Sequence, residues 1–173
     1  MKTIKLTQGK ETIIDDKDFE HVSMHKWYAH YDGYNWYAKR QRTIRYNPRE
    51  QTAERLHRFL LSPNKDQEID HINGDTLDNR RCNLRICTRT ENMRNSKKPI
   101  TGLTSKYKGV DWDKHNKKFR ARIRIDEKRK CLGYFKDEVK AALAYDSAAL
   151  EHHGEFARFN FPIINPNGTF SIR

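Results

Sequence analysis

Residues 68–85 of this chain, "EIDHINGDTLDNRRCNLR", bring together side chains that could hydrolyse a phosphodiester bond. A neutral imidazole, here that of His71, can accept a proton from water near pH 7. The carboxylate of Asp70 supplies an oxygen ligand for a hard divalent cation, which would cover the phosphate and the leaving oxygen. The two adjacent residues therefore predict a general base and a metal ligand at one site.

Two asparagines follow at spacings that would complete this site. Asn83, 12 residues after His71, is expected on the returning strand, where its amide could hold the imidazole in one orientation. Asn92, 21 residues after His71, is expected on the next helix, where it could complete the metal site. Asn95, one helical turn later, is the alternative ligand at that position. Asn, Asp and Gly also favour a plain turn, but a plain turn does not account for both spacings.

The segments around these residues predict a compact ββα unit. "QEIDHI" and "NLRICT" predict strands, "NGDTLDN" the turn between them, and "RTENMRNS" a polar helix. Just before them, "TAERLHRFLL" predicts a short helix with Leu56, Phe59 and Leu60 at apolar helical spacing. His57 lies among these apolar residues and is interpreted as a packed histidine, with catalysis as the alternative.

Positive charge surrounds the predicted site and extends over the whole chain. Residues 76–98 hold seven Lys or Arg against Asp78 and Glu91, a net charge of +5. The 173 residues carry a formal net charge of +12, and the pI is about 9.7. Because so much like charge repels itself, a polyanionic partner is the natural inference. The residues expected to contact nucleic acid beside the site are Arg80, Arg81 and Arg85.

Short β-type runs precede the ββα unit, and linker-like residues follow it. Residues 1–50 predict a small antiparallel sheet with a hairpin turn at "YDGYN". Its aromatic residues are interpreted as core, with stacking on bases as the alternative. The three cysteines are odd in number and form no CxxC pair, which argues against a structural zinc site and a disulfide framework. No run approaches the roughly 20 apolar residues of a membrane span. The protein is therefore expected to be soluble and intracellular.

Residues 106–162 predict three strands followed by a helix. In "KFRARIRI", alternate apolar residues are expected to face the helix, and a row of arginines is expected on the open face: Arg120, Arg122 and Arg124. In "RKCLGYF", Leu132 and Tyr134 are expected to face inward. A three-stranded sheet with an arginine-rich face can sit in the major groove of DNA.

The helix predicted over "DEVKAALAYDSAALEHHGE" should pack its apolar face on this sheet. Asp137 is expected to cap its start and Gly154 to end it. The residues expected on or near the inward face are Val139, Ala142, Leu143, Ala149 and Leu150.

"RLHRFLL" and "EIDHINGDTLDNRRCNLRICTRTENMRN", within residues 55–96, resemble the HNH (ββα-metal) nucleases, particularly their small homing-endonuclease-like members. The resemblance implies that His71 is the general base and that Asn83 orients it. It also implies that Asp70 and Asn92 bind one divalent ion, Mg²⁺ or Mn²⁺. The products would then carry 5′-phosphate and 3′-hydroxyl ends. Asn92 replaces a histidine of the family motif, which is a known variant.

"YKGVDWDKHNKKFRARIRI", "CLGYF" and "EVKAALAYDSAALEHHGEFARFNFP" resemble the AP2/ERF DNA-binding domain over nearly all of residues 106–162. In that family the sheet contacts DNA and the helix supports it from behind. Carried over by position, the contacts would come from Lys108, Trp112, Arg122, Arg124 and Arg129. Asp111 stands where the plant proteins usually have arginine, and Cys131 where they often have tryptophan, so the preferred DNA sequence does not carry over.

These features together predict an α+β protein with five parts: a small N-terminal antiparallel β region (1–50), a ββα-metal HNH core (51–97), a linker (98–105), a three-stranded antiparallel sheet packed on one helix, AP2-like (106–162), and a tail (163–173). The predicted function is a metal-dependent homing-type DNA endonuclease that binds double-stranded DNA, from a mobile element of phage or intron origin. The alternatives are a DNA-binding regulator with an inactive HNH core and an enzyme that acts on RNA. The oligomeric state is left open, with a monomer favoured.

Overall fold

The structure, a computed structural model, describes residues 1–46, 49–98, 104–126, 128–164 and 170–171. Small antiparallel sheets and short helices make up these residues, which confirms the predicted α+β class. The chain divides into two compact units, Met1–Arg89 and Thr90–Arg173. Most of the predicted linker and tail (99–103, 165–169 and 172–173) lies outside the described residues. Among the residues that are described, no helix is long and apolar enough to cross a membrane.

In its described residues (1–46 and 49–89), the first unit has three small sheets and two short α-helices before its last residue. Its strands are β1 (Lys2–Lys5), β2 (Glu11–Ile14), β3 (Tyr28–Tyr31), β4 (Trp36–Tyr46), β5 (Arg49–Arg55), β6 (Glu68–His71) and β7 (Leu84–Cys87), and its helices are α1 (Asp16–Ser23) and α2 (Leu56–Leu61). The sheets are β1–β2, β3–β4–β5 and β6–β7, all antiparallel. One apolar core joins the N-terminal elements to α2: Ile14, Val22, Trp27, Ala38 and Leu56.

The N-terminal strands and the "YDGYN" hairpin agree with the sequence-based prediction, but helix α1 was not predicted. Its sequence, "DKDFEHVS", has only Phe19 and Val22 as apolar residues, which is too few for a clear periodicity. Both nevertheless pack in the core, and Val22 is fully buried. The indole of Trp27 is also buried and donates to the carbonyl oxygen of Val22 at 2.9 Å. This tryptophan is a core residue, as expected.

The helix predicted over "TAERLHRFLL" is shorter than expected, because its first four residues belong to strand β5. Glu54 pairs with Arg40 of β4, and their side chains form a salt bridge at 2.7 Å. The helix begins only at Leu56, where the chain enters the core. The β4–β5 hairpin therefore crosses the boundary that was predicted at residues 50 and 51.

The second unit contains α3 (Arg89–Asn95), which starts at the last residue of the first unit, and a sheet covered by one long helix. The remaining elements are β8 (Val110–Asp113), β9 (Lys118–Ile125), β10 (Lys128–Phe135), α4 (Glu138–His153), β11 (Ile163–Ile164) and β12 (Phe170–Ser171). The main sheet has the order β10–β9–β8 and is antiparallel, as predicted. Asp137 caps α4 by accepting from the backbone N–H groups of Val139 and Lys140, and the helix ends before Gly154, both as expected.

A β-bulge between Cys131 and Gly133 makes one orientation prediction on β10 wrong. The bulge shifts the alternation of side chains by one residue. Tyr134 is therefore exposed, and Phe135 packs against the core in its place.

The inward face of α4 also differs from the prediction. Val139, Leu143 and Leu150 are exposed. The buried residues are Ala141, Ala142, Tyr145, Ala148, Ala149 and His153. Small side chains let this helix approach the sheet closely, and at Gly109 (φ +76°) the ring of Tyr145 occupies the place where a Cβ would stand. Hydrophobicity alone did not identify this face, because close packing selected alanine over leucine.

Candidate active site

The β6–β7 hairpin places Asp70 and His71 at neighbouring positions on one buried strand. Asp70 pairs with Arg85 across the hairpin, and His71 pairs with Leu84. Both functional side chains are 5% exposed. Successive side chains leave a strand on opposite faces. Each face of β6 is therefore shielded from solvent at this point.

The loop that joins the two strands is held by Asn83. Its Oδ1 accepts from the backbone N–H of Asn73 at 3.0 Å, and its Nδ2 donates to the carbonyl oxygen of Asp78 at 2.8 Å. The Asn73 side chain in turn donates to the Asp78 carboxylate at 3.0 Å. Asn83 thus shapes the loop that follows His71, and a direct role in orienting the imidazole stays a prediction.

The amide that contacts the imidazole belongs to Asn79, which sequence reasoning did not single out. Its Oδ1 lies 3.4 Å from Nε2 of His71, and the residue is almost fully buried. Its Nδ2 donates to Oγ1 of Thr12 on β2 at 2.8 Å. The available signal was weak, because an asparagine in "NGDTLDN" is expected in any turn.

Strand β2 braces the same loop through its backbone. The N–H of Ile13 donates to the carbonyl oxygen of Leu77 at 2.9 Å. The N–H of Asn79 donates to the carbonyl oxygen of Ile13 at 2.8 Å. The hydroxyl of Thr12 donates to the same Leu77 oxygen at 2.7 Å. The N-terminal β region, to which the sequence assigned no role, therefore fixes the loop beside His71.

A second imidazole and a phenol pack around His71. The His57 ring lies 5.0 Å from the His71 ring at an angle of 83°, in an edge-to-face contact. The Tyr37 ring lies 5.9 Å from His57 and 6.5 Å from His71. His57 is buried, as predicted for a packed histidine, but its packing partner is the candidate base itself.

Burial decides the protonation of both imidazoles. It is the largest cause lowering the pKa of His71, partly offset by the hydrogen bond with Asn79 and by the Asp70 carboxylate. Burial and the neighbouring His71 also lower the pKa of His57 well below its usual value. Both rings are therefore neutral near pH 7, as a general base must be.

The Asp70 carboxylate is held by Arg85. Nη2 and Nε of the guanidinium lie 2.6 and 2.9 Å from Oδ2, and both side chains are largely buried. Mg²⁺ is commonly bound by one or two carboxylates, with water and phosphate oxygens as its other ligands. Among the described residues, no cluster of three or more His, Cys, Asp or Glu could hold a metal ion. The role of Asp70 as a metal ligand stays a prediction.

Helix α3 carries the two asparagines predicted as alternative metal ligands. Asn92 is half-buried and Asn95 is buried. The C-terminal end of α3 is bound by Lys108, whose ammonium donates to the carbonyl oxygens of Arg94 at 2.5 Å and Ser96 at 2.6 Å. These two hydrogen bonds direct its ammonium to the helix end, and its predicted contact with DNA stays a prediction.

Each of the three arginines predicted to contact nucleic acid beside the site forms an ion pair within the first unit. The pairs, with their N–O distances, are Arg80–Asp78 (2.6 Å), Arg81–Asp18 (2.8 Å) and Arg85–Asp70 (2.6 Å). Arg85 is mostly buried, whereas more than a third of the Arg81 side chain is exposed. Each of the three guanidinium groups is therefore held by a carboxylate of the same unit.

The open face of the β8–β10 sheet combines basic and acidic side chains. Asp111 accepts from Arg120 at 2.7 Å and forms an ion pair with Arg122 at 2.8 Å. Trp112 follows Asp111 on β8 and leaves the strand on the other face, where it is partly exposed and packs edge-on against Phe119. The other predicted DNA contacts on this face, Arg124 and Arg129, are exposed. This face therefore presents arginine side chains to a partner. Two of them, Arg120 and Arg122, are already paired with the carboxylate of Asp111.

Comparisons with known proteins agree with this arrangement. A family model described as HNH endonuclease matches residues 62–94. "Protein 3.8" of Escherichia phage T7 is 33% identical over 91 residues, which cover 53% of this chain and 74% of that protein. "Ethylene-responsive transcription factor WRI1" of Arabidopsis thaliana is 36% identical over 83 residues, which cover 45% of this chain and only 19% of that protein, so it gives slight support to the AP2/ERF resemblance. The ββα unit, the family match and the phage relative together support a nuclease activity in general terms: the chain belongs to the HNH endonuclease family.

Proposed function

We propose that this protein is a metal-dependent homing-type endonuclease that hydrolyses phosphodiester bonds in double-stranded DNA. The observation that carries the proposal is the buried, neutral imidazole of His71 beside the buried carboxylate of Asp70, inside the segment that matches the HNH endonucleases. Hydrolysis of a phosphodiester needs a neutral base that takes a proton from water and an oxygen ligand that binds a divalent cation at the phosphate.

In this proposal His71 removes a proton from the attacking water. The hydrogen bond with Asn79 engages Nε2 of the same ring at 3.4 Å. Asp70 is the first ligand of the divalent ion, and Asn92 is the second, with Asn95 as its alternative. The bound Mg²⁺ or Mn²⁺ would supply positive charge to the phosphate and the leaving oxygen.

DNA is proposed as the substrate because the family consists of DNA-cutting enzymes and the chain carries a net charge of +12. The module built on β8–β10 is proposed to bind the duplex beside the cut, through Lys108, Trp112, Arg120, Arg122, Arg124 and Arg129. Arg80, Arg81 and Arg85 remain proposed contacts near the scissile phosphate, through groups that also hold carboxylates. Sheet readers suit the wide major groove of DNA better than the narrow one of A-form RNA.

The test is cleavage of supercoiled plasmid and of the protein's native flanking DNA, with Mg²⁺ or Mn²⁺ and with EDTA. The wild type should cut only with the metal, and His71→Ala should cut at least about 100-fold more slowly. His115→Ala, in the turn after β8, is the matched control and should cut normally. If the wild type cuts no better than His71→Ala on any of these substrates, the proposal is wrong.

One observation favours a second function, a DNA-binding regulator with an inactive HNH core. Arg85 already neutralises the carboxylate that the metal would need. That function predicts salt-sensitive DNA binding that is indifferent to metal, with no cleavage in the same plasmid assay. Competition between duplex DNA and structured RNA would separate both functions from an action on RNA.

A further inference from the structure

The face of β4 that contacts the candidate base continues into two cationic side chains. Tyr37 packs its ring 6.5 Å from the ring of His71. Lys39 lies two residues further along the strand, and side chains two residues apart leave a strand on the same face. Arg55 of β5 is directly opposite Lys39 in the antiparallel register, so it shares that face. The candidate base and both cations therefore lie on one side of this sheet.

The same tyrosine holds the guanidinium of Arg55. The central carbon of the guanidinium lies 4.3 Å from the centre of the Tyr37 ring, in a cation–π contact. Such a contact uses none of the five N–H donors of the group, so these donors can still bind an anion. One aromatic ring thus separates Arg55 from the imidazole of His71.

The two cations face each other without a carboxylate paired to either. Like charges at directly opposite positions of a sheet repel each other. Burial and then the charge of Arg55 lower the pKa of Lys39, and Asp32 partly offsets this. The Asp32 carboxylate accepts from the backbone N–H groups of Tyr34 and Asn35 in its own turn. In the part of the chain that the structure describes, neither Lys39 nor Arg55 forms an ion pair.

On the opposite face of the hairpin, the neighbouring arginine is engaged by the fold. Arg40 forms a salt bridge with Glu54 at 2.7 Å, and its guanidinium lies 4.2 Å from the centre of the Phe59 ring. The Arg40 side chain is only 13% exposed. Arg40 therefore has a structural role, which the packing and pairing of Lys39 and Arg55 do not show.

An open cavity of about 360 Å³ lies beside Lys39 and Arg55. Its charged lining residues are four cations and one carboxylate: Lys39, Arg42, Arg55, Arg58 and Glu54. Because that carboxylate is already paired with Arg40, the cavity favours an anionic group.

We propose that Lys39 and Arg55 bind the sugar-phosphate backbone of the DNA strand that is cut at His71. The inference rests on the proposed endonuclease function. Successive phosphates of one strand are spaced by about 3.4 Å along the helix axis, so the two cations would hold a phosphate a few nucleotides from the cut. A phosphate between them also relieves their mutual repulsion, which the free protein must tolerate.

The first measurement is the affinity of the full-length protein for a duplex of its native flanking DNA, by fluorescence anisotropy in EDTA over a range of salt concentrations. Lys39→Gln and Arg55→Gln should each weaken binding about three- to tenfold and make the salt dependence shallower by about one unit of slope. Lys39→Arg and Arg55→Lys keep the charges and should keep the wild-type slope. Lys26→Gln removes one charge at an exposed position before β3 and should also keep this slope.

The melting temperature distinguishes a role in binding from a role in folding. Because Lys39→Gln removes one of two like charges, it should melt at or above the wild-type temperature while it binds DNA more weakly. Single methylphosphonates, which replace one charged phosphate by a neutral group, then locate the contact. Near the mapped cut, one or two such replacements should weaken binding by the wild type and leave binding by Lys39→Gln unchanged.

Three results would overturn the inference. The first is a wild-type salt slope in both Lys39→Gln and Arg55→Gln, and the second is an equal loss of slope in Lys26→Gln, which would make the overall charge responsible. The third is a methylphosphonate effect near the cut that is the same in wild type and Lys39→Gln. The salt slopes need no cleavage. If the wild type binds DNA and cuts nothing, the endonuclease function fails by itself, and the slopes still decide whether Lys39 and Arg55 contact the backbone.

Discussion

Arg85 holds the carboxylate of Asp70 from the directly opposite position of the β6–β7 hairpin, with Nη2 2.6 Å from Oδ2. An acid buried on a strand is costly unless it is paired, and the cross-strand arginine supplies that partner. The same carboxylate is the proposed metal ligand. The pair therefore links the stability of the hairpin to the occupancy of the site.

Arg85→Gln should destabilise the metal-free protein by about 3 kcal/mol, because it leaves a buried carboxylate without its cation. Saturating Mn²⁺ should restore part of this loss in Arg85→Gln, since the ion can take the place of the guanidinium. Urea unfolding in EDTA and in Mn²⁺ measures both effects. Arg129→Gln, exposed on β10, makes the same chemical change and should alter the free energy of unfolding by less than about 0.5 kcal/mol. A stable Arg85→Gln variant in EDTA would show that the pair does not hold the site.

His57→Ala should slow cleavage by about tenfold, because the His71 ring would lose the edge-to-face contact that limits its tilt. His57→Phe keeps a ring at this position and should recover most of the rate. The measurement is single-turnover cleavage below the melting temperature of each variant, with DNA affinity measured in parallel. If His57→Phe is as slow as His57→Ala, the nitrogens of His57 matter and packing is not its contribution.

The order of elements around the site could be predicted from the sequence, because local patterns specify it. The strands on either side of "NGDTLDN" and the helix after them have clear alternation, turn residues and spacing, and all three are present in the structure. The same local patterns placed Asp70 and His71 on one strand. Proximity along the chain was enough for these two residues.

The contacts around His71 could not be predicted, because they come from distant parts of the chain. Asn79 is oriented by Thr12, 67 residues earlier, and His57 meets His71 through the fold of β4, β5 and α2. No periodicity in a single sequence encodes such pairings. The buried face of α4 was not predicted for a related reason. Its residues are small because the helix packs close to the sheet, and their hydrophobicity alone does not reveal this.

The ion pair between Asp18 and Arg81 predicts a pH-dependent contribution to stability. Hydrogen bonding to Arg81 is the largest cause lowering the pKa of Asp18 below its ordinary value of 3.8. Because the folded pKa is below the unfolded one, the pair stabilises the fold above about pH 4 and loses this effect as the pH falls through the folded value. Asp18→Asn should therefore cost about 1.5 kcal/mol at pH 7 and progressively less below pH 4.

Urea unfolding of wild type and Asp18→Asn across this pH range measures the difference. Asp66→Asn, at an exposed position before β6, is the control for a change of charge and should follow the wild type. A difference between wild type and Asp18→Asn that is equally large at pH 3 and pH 7 would mean that packing, and not ionisation, causes the loss.

Asp111→Asn should tighten DNA binding by about three- to tenfold, because the carboxylate now opposes phosphate and holds Arg120 and Arg122. The released guanidinium group of Arg122 can approach a phosphate, whereas Arg120 keeps its ion pair with Asp113 at 3.1 Å. The logarithm of the affinity should therefore also fall more steeply with salt, by about one unit of slope for the new contact. Fluorescence anisotropy with a duplex over a range of salt concentrations measures both quantities. Asp126→Asn makes the same change of charge at an exposed position at the end of β9. If both variants tighten binding equally and with the same slope, the overall charge is responsible and Asp111 does not restrain the two arginines. A larger effect at Asp111 would mean that DNA must break the ion pairs of Asp111 before it can contact the two arginines. The affinity of the wild type would then already include the energy of breaking these pairs.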